Sequence, residues 1–453
     1  MPHTKSSPRQ SRRTFLQTCG PAAALVTGAT IARGDTTSTP KTEASHKALA
    51  YLRAKALDGK VHLTFYKSTP TFQNKSAQDR FRTIRVYRRE EPAFTFGKDY
   101  AEYFDGLSHK SADLIYNKPL EPSNYRKFTY VDDTPKIGST YSYWVAPADG
   151  PPTGPIPVKV RDPEVWWTPE KIEQAITTLQ KNHPDLVKVS TIGRTVRGQK
   201  LHGIQLGPAK RRIALIGAIH AGESGPELML PAFQRILAEQ EELLAHISIV
   251  AIPAVNLDER CRLAEGVPWY LRTNANGVDL NRNYPADWET VDYTYGLDTS
   301  DPDSMTYRGP APASEPETRA VMEFLKANPP EVLFSFHCLA SICGAHLLGP
   351  KSAAKDKPYA DTSRQLATTY SHAMEPDQPP RNPLGFGTTA GSLPTWCYRE
   401  LGIPAFDLEI SSHETEARAK CVVDKTDRPL LHKYQQRHTN ALRAILQSMI
   451  NQK

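Results

Sequence analysis

Arg212-Ile213-Ala214-Leu215-Ile216-Gly217-Ala218-Ile219-His220-Ala221-Gly222-Glu223 is the stretch on which the reading of this chain turns. Residues 213–218 carry no charge, the pattern of a strand buried on both faces, as in a parallel sheet. His220 and Glu223 follow just beyond the predicted strand end, which is where open α/β sheets place their ligands. An imidazole and a carboxylate this close on a turn can face one ion. A third ligand from elsewhere would complete a catalytic zinc site with an open position.

Working outward, strand-like and helix-like segments alternate. Strands are predicted at residues 187–192, 201–206, 247–252, 332–336 and 405–410; helices at 226–239, 315–327, 359–374 and from about 429. Thr168-Pro169-Glu170 reads as an N-cap, a proline at the first helical position and an acid in the first turn. Ile172, Ala175, Ile176 and Leu179 then repeat at helical spacing. This alternation predicts one α/β domain over residues 164–453, a mixed twisted sheet flanked by helices.

Upstream the period changes. Residues 61–65, 83–87 and 141–145 alternate with period two and are rich in β-branched and aromatic residues, which predicts an all-β sandwich over 46–163. Tyr130-Val131-Asp132-Asp133 leading to Gly138-Ser139-Thr140-Tyr141-Ser142-Tyr143-Trp144-Val145 is similar to the late strands of fibronectin type III domains. Tyr141 is the candidate for the corner tyrosine of such sandwiches. The proline-rich stretch 150–155 is expected as a turn before the last strand. This module is expected to pack on the next domain and to carry no chemistry of its own. Residues 33–45 read as a linker. Before them, Ser11-Arg12-Arg13-Thr14-Phe15-Leu16-Gln17 and the small, apolar residues 21–32 resemble a twin-arginine export signal over 1–32. That predicts a periplasmic or extracellular protein.

Composition narrows the partners. The chain has 453 residues, 39% hydrophobic and 23% charged, which are globular values. No apolar run approaches the about 18 residues of a spanning helix, so no transmembrane anchor is expected. Of the net charge of +7, Lys5, Arg9, Arg12 and Arg13 supply +4; the remaining +3 is no footprint for nucleic acid. Beyond Cys19, the cysteines are Cys261, Cys338, Cys343, Cys397 and Cys421. They are odd in number and show no CxxC metal spacing.

His337 follows the strand at 332–336 and is the expected third ligand, with His346 and His413 as alternatives in a strand edge and a surface loop. A lone His220 would be read as a hydrogen-bonded structural histidine; Glu223 and a second strand-end histidine reverse that reading. Metal-bound water also needs a proton acceptor. Asp407 and Glu409 lie two apart in the otherwise apolar strand at 405–410. They therefore share a face, and periodicity does not choose between them. Between the ligands runs the donor-rich segment Arg272-Thr273-Asn274-Ala275-Asn276-Gly277-Val278-Asp279-Leu280-Asn281-Arg282-Asn283-Tyr284-Pro285. Its arginines suit a substrate carboxylate or a developing oxyanion.

In order, H-A-G-E, R-x-N-A-N-G-V-D-L-N-R-N-Y-P, S-E-P-E-T-R-A, the strand-end His337 and A-G-S-L-P-T-W-C-Y-R-E-L-G-I-P-A-F-D-L-E resemble the zinc metallocarboxypeptidase family. The resemblance implies one zinc held by His220, Glu223 and His337, and Glu409 as general base. It assigns Arg272 to the scissile carbonyl, Asn281 and Arg282 to the terminal carboxylate, and Asp279 to the orientation of His220. Two departures stand out. Gly222 occupies the position of an arginine in the digestive members, and Phe386 that of the family's mobile tyrosine, for which Tyr398 and Tyr370 are candidate replacements. Leu393 falls near the specificity position and favours an uncharged side chain. The expected substrate is a peptide or a cell-wall stem peptide. A zinc deacylase of N-acyl amino acids and a non-catalytic binding protein of the same fold are the rival readings.

Overall fold

Two antiparallel sheets form the N-terminal part of the computed structural model. Strands β1 (Leu49–Leu57), β2 (Lys60–Lys67) and β5 (Lys127–Asp132) make one sheet; β3 (Thr83–Glu91), β4 (Asp113–Pro119), β6 (Thr140–Pro147) and β7 (Thr153–Lys159) make the other, in the order β4-β3-β6-β7. Val61, Leu63, Phe65, Ile84, Val86, Phe128, Tyr143 and Val145 form a shared core, with Phe65 and Phe128 stacked at 5.5 Å. The Tyr141 hydroxyl accepts the Lys136 N–H at 3.0 Å. The structure departs from the sequence reading in two places. Strand β6 is buried along its whole length rather than alternating. Stretch 150–155 is not simply a turn, because β7 begins at Thr153 and holds Pro155 and Pro157. An edge strand tolerates both prolines, since one side of its ladder needs no donor.

The structure describes residues 49–67, 83–92, 103–104, 106–124, 126–148, 150–223, 225–294, 296–337, 347–377, 379–409 and 428–452. The expected export signal, the linker, His346, His413, Cys338, Cys343 and Cys421 lie outside them. Cys397 is a free thiol; burial pushes it far up, so it stays protonated. Among the described residues, no helix is long and apolar enough to cross a membrane.

The second part is an eight-stranded sheet. Adding β8 (Val187–Arg194), β9 (Lys200–Leu206), β10 (Arg212–Ile216), β11 (Ser248–Ile252), the short pair β12 (Tyr293–Thr294) and β13 (Leu297–Asp298), β14 (Val332–His337), β15 (Leu347–Pro350), β16 (Leu384–Thr388) and β17 (Ala405–Glu409), the sheet order is β16-β15-β17-β14-β10-β11-β9-β8, with β12 and β13 pairing separately. The central strands β17, β14, β10 and β11 run parallel; β9, β8 and β15 join antiparallel. Alternate residues of the centre feed two cores. Ile213, Leu215, Phe334, Phe336, Phe406 and Leu408 face one side; Ala214, Ile216, Leu333 and Ala405 face the other. Helices α1 (Pro169–Asn182), α2 (Pro226–Glu239), α3 (Leu257–Ala264), α4 (Pro316–Ala327), α5 (Lys357–Met374), a single turn α6 (Leu393–Trp396) and α7 (Arg428–Asn451) connect or flank the strands.

The β-module grips the chain just after α3. Ala56 N–H donates to Glu265 O and Lys159 N–H to Gly266 O, each at 2.8 Å. Arg161 Nη1 reaches the carbonyls of Leu263 and Val267, both at 2.6 Å. These contacts fix the foot of the segment that runs on to Arg272.

Candidate metal and active site

The turn after β10 is built by close backbone packing. Gly217 N–H donates to Ile252 O at 2.9 Å and Asn256 N–H to Ala218 O at 3.0 Å. A Cβ on Gly217 would stand 2.4 Å from Pro253 O and 2.7 Å from Gly225 Cα, so the two ends of the turn cross only because both residues are glycine. Inside the turn, the fully buried Arg260 of α3 donates to Ala221 O at 3.1 Å and Glu223 O at 2.9 Å. Glu227 pairs with the same guanidinium.

This holds His220 and Glu223 against the end of β14. His220 Nδ1 lies 2.8 Å and His337 Nδ1 2.7 Å from the same atom, Glu223 Oε2. The three side chains are buried, with one ligand atom from each within 4.8 Å of the others. Burial would push the Glu223 carboxyl up, but the two imidazoles hold it well below the usual carboxylate range. Burial likewise favours a neutral His337, yet Asp407 and Glu223 raise it well above its ordinary value. Two nitrogens and a carboxylate oxygen converging in a buried site form a donor set that suits zinc and leaves a position open.

Each histidine is backed on its other nitrogen. His220 Nε2 stands 2.9 Å from Asp279 Oδ1, while Arg272 Nε donates to Asp279 Oδ2 at 2.8 Å. Against the upward push of burial, Arg272 and His220 keep Asp279 ionised. His337 Nε2 lies 3.0 Å from Ser335 Oγ and 3.1 Å from Asp407 Oδ1. Asp407 is held in turn by Asn281, whose amide donates to Oδ2 at 2.9 Å and accepts the Leu393 N–H at 2.9 Å. The register pairs Ser335 with Asp407 and His337 with Glu409, so Glu409 stands beside His337 on the same face as Asp407.

The other expected residues fall as follows. Arg282 is nearly buried and donates to Asn281 O at 2.6 Å. Leu393 is fully buried in the core with Tyr284 and Trp396. Phe386 lies on β16, across from Gly349 of β15. The hydroxyls of Tyr370 and Tyr398 are engaged away from the metal ligands, with His438 Nδ1 at 2.6 Å and Asp356 Oδ2 at 3.0 Å. Glu315 and Glu317 of the S-E-P-E-T-R-A motif accept from Asn274 at 2.8 and 3.2 Å, so this part of the pattern is scaffold for the segment bearing Arg272 and Asp279.

Three residues at the site escaped the sequence reading. Tyr270 donates to Glu223 Oε1 at 2.7 Å, and its only signal was proximity to Arg272 in an aromatic run. Arg260 lies on α3, a helix for which the sequence reading gave no expectation. Asp407 was weighed only as a rival base; its place against His337 follows from strand register.

The family model of the zinc carboxypeptidases matches residues 172–423. The chain belongs to this family. His220, Glu223 and His337 are therefore its site for one zinc ion. Among curated relatives, rat carboxypeptidase B is 30% identical over 177 residues, 35% of this chain and 41% of that protein. Murein peptide amidase A of Escherichia coli K12 is 30% identical over 210 residues, 45% of this chain and 74% of that protein. The chain thus spans less than half the length of the curated carboxypeptidases it matches. Bovine thrombin-activatable fibrinolysis inhibitor, solved with tick carboxypeptidase inhibitor, superposes with a TM-score of 0.51 at 22% identity, covering 64% of this chain and 99% of that one. That likeness bears on the fold, the mixed α/β carboxypeptidase fold. In this family setting Gly222 has a local cause. A Cβ there would lie 2.5 Å from Tyr270 Cδ2, so the tyrosine ring fills the space a side chain would take.

Proposed function

We propose that this protein is an exported zinc carboxypeptidase that hydrolyses a peptide bond near a free carboxylate, with cell-wall stem peptides as a substrate class beside ordinary oligopeptides. The observation that carries the reading is the convergence of His220, Glu223 and His337 with Arg272 fixed beside them through Asp279. Zinc, when bound, supplies an activated water and polarises the scissile carbonyl. Glu409 accepts the proton of the attacking water and returns it to the leaving amine; its position beside His337 in the strand register supports this role. Arg272, oriented by Asp279, stabilises the developing oxyanion. Arg282 and the second N–H of the Asn281 amide take the substrate carboxylate.

The substrate class is supported by the relative whose name gives murein peptide as its target and by Gly222, where the resemblance expects an arginine and the Tyr270 ring lies against the position instead. The Arg12-Arg13 signal supports export to the periplasm or beyond. The three-on-four sandwich and the Tyr141 hydroxyl bonded to Lys136 support a fibronectin type III-like module.

The test is digestion of a mixed peptide and stem-peptide library by the zinc-loaded protein, with mass analysis of the released residues. Loss of single C-terminal residues, or cleavage within stem peptides, is the expected result. Release of amino acids from N-succinyl or N-acetyl substrates alone would establish the deacylase instead. Binding of wall fragments without turnover would establish the binding protein. Glu409→Gln should abolish hydrolysis while zinc stays bound; a variant that keeps most of its activity removes Glu409 as the base.

A further inference from the structure

Tyr270, which is not among the expected site residues, touches the metal site through Glu223. Its hydroxyl donates to Glu223 Oε1 at 2.7 Å, while Glu223 Oε2 is the atom on which both histidines converge. The two carboxylate oxygens are thereby given different tasks. The ring lies over Gly222, with Cδ2 and Cε2 2.5 and 2.6 Å from the position of a Cβ at that residue. Ring and hydroxyl together hold the Gly222-Glu223 pair, while Arg260 holds the carbonyls of Ala221 and Glu223. The support is firm, because the segment leading to Tyr270 is tied at its foot to the β-module through Glu265, Gly266 and Val267.

We propose that Tyr270 is a positioning residue of the zinc site: its hydroxyl fixes Glu223 so that Oε2 is presented to the metal, and its ring makes an uncharged wall where residue 222 has no side chain. This rests on the zinc-site reading and adds to it a determinant of metal affinity. Hydrogen-bonded partners of ligating carboxylates tune metal affinity by about 10- to 100-fold. A partner that also fills the space beside the ligand makes residues 222 and 270 act as one unit.

The test uses the full-length protein and zinc itself. Tyr270→Phe keeps the ring and deletes the hydroxyl. Chelator competition should show zinc held about 10-fold or more weaker, and excess zinc should restore kcat. Unchanged zinc affinity with a raised KM would overturn the proposal, because the hydroxyl would then serve substrate and not Glu223. Gly222→Ala is the second probe, since its Cβ must push the ring aside. It should weaken zinc binding in the same direction, and Gly222→Ala with Tyr270→Phe should lose less than the sum of the two. Fully additive losses would overturn the coupling. Because zinc affinity is the readout, a protein that binds zinc but hydrolyses no peptide would sink the peptidase reading and leave this one measurable.

Discussion

The turn at His220 and the strand end at His337 deliver the same atom, Nδ1, to the same carboxylate oxygen, yet they are supported differently. His220 sits on a turn with no ladder to hold it, and its far nitrogen is gripped by Asp279, itself charged and fixed by Arg272. His337 ends a strand hydrogen-bonded on both sides, to β10 and β17. Its far nitrogen meets a hydroxyl and the edge of a carboxylate. The contrast predicts that a ligand placed by sheet register needs less side-chain support than one placed by a turn.

That contrast can be broken in several ways. The largest effect belongs to the ligands: His220→Ala and His337→Ala should each lose stoichiometric zinc by metal analysis, because neither carries less of the site than the other. Below that, Asp279→Asn should weaken zinc binding by about 10- to 100-fold, and Asp407→Asn by less. Equal losses in chelator competition would show that register supplies no support. Arg161→Ala should leave zinc binding nearly intact and cost about 1–3 kcal/mol of stability by denaturant melt, since it removes a charged donor from two carbonyls at the foot of the Tyr270 segment.

His438 sharpens the comparison from the other side. It is a buried histidine packed edge-on to Phe336 and bonded to the Tyr370 hydroxyl. Burial pushes its pKa down from 6.5 to about 3, opposite to His337. Between those two values the unfolded chain binds a proton that the folded chain refuses, so stability falls as pH falls, by at most about 1.4 kcal/mol per unit from this residue. His438→Gln should flatten the pH dependence of the melting temperature over that window. An unchanged slope would mean the ring is already charged in the fold.

Much of this was legible in the chain. The uncharged run before His220, the apolar run before His337 and the helical spacing after Thr168 fall where the periodicities placed them. The same-face pair Asp407 and Glu409 was legible as a pair, and the periodicity left the base open between them. The strand register that pairs Ser335 with Asp407 brings Asp407 against His337. Alternation was the wrong guide for β6, which has neighbours covering both faces.

The sequence by itself determined the central strands of the large sheet and the residue types that could ligate a metal, because side-chain period and local caps are properties of a short window. Only the tertiary structure decided that Asp279 backs His220, that Asp407 stands against His337, and that Tyr270 fills the space over Gly222. Those partners lie between 48 and 70 residues apart along the chain. What brings them together is strand register and the path of a loop held by the β-module, neither of which is written in any local pattern.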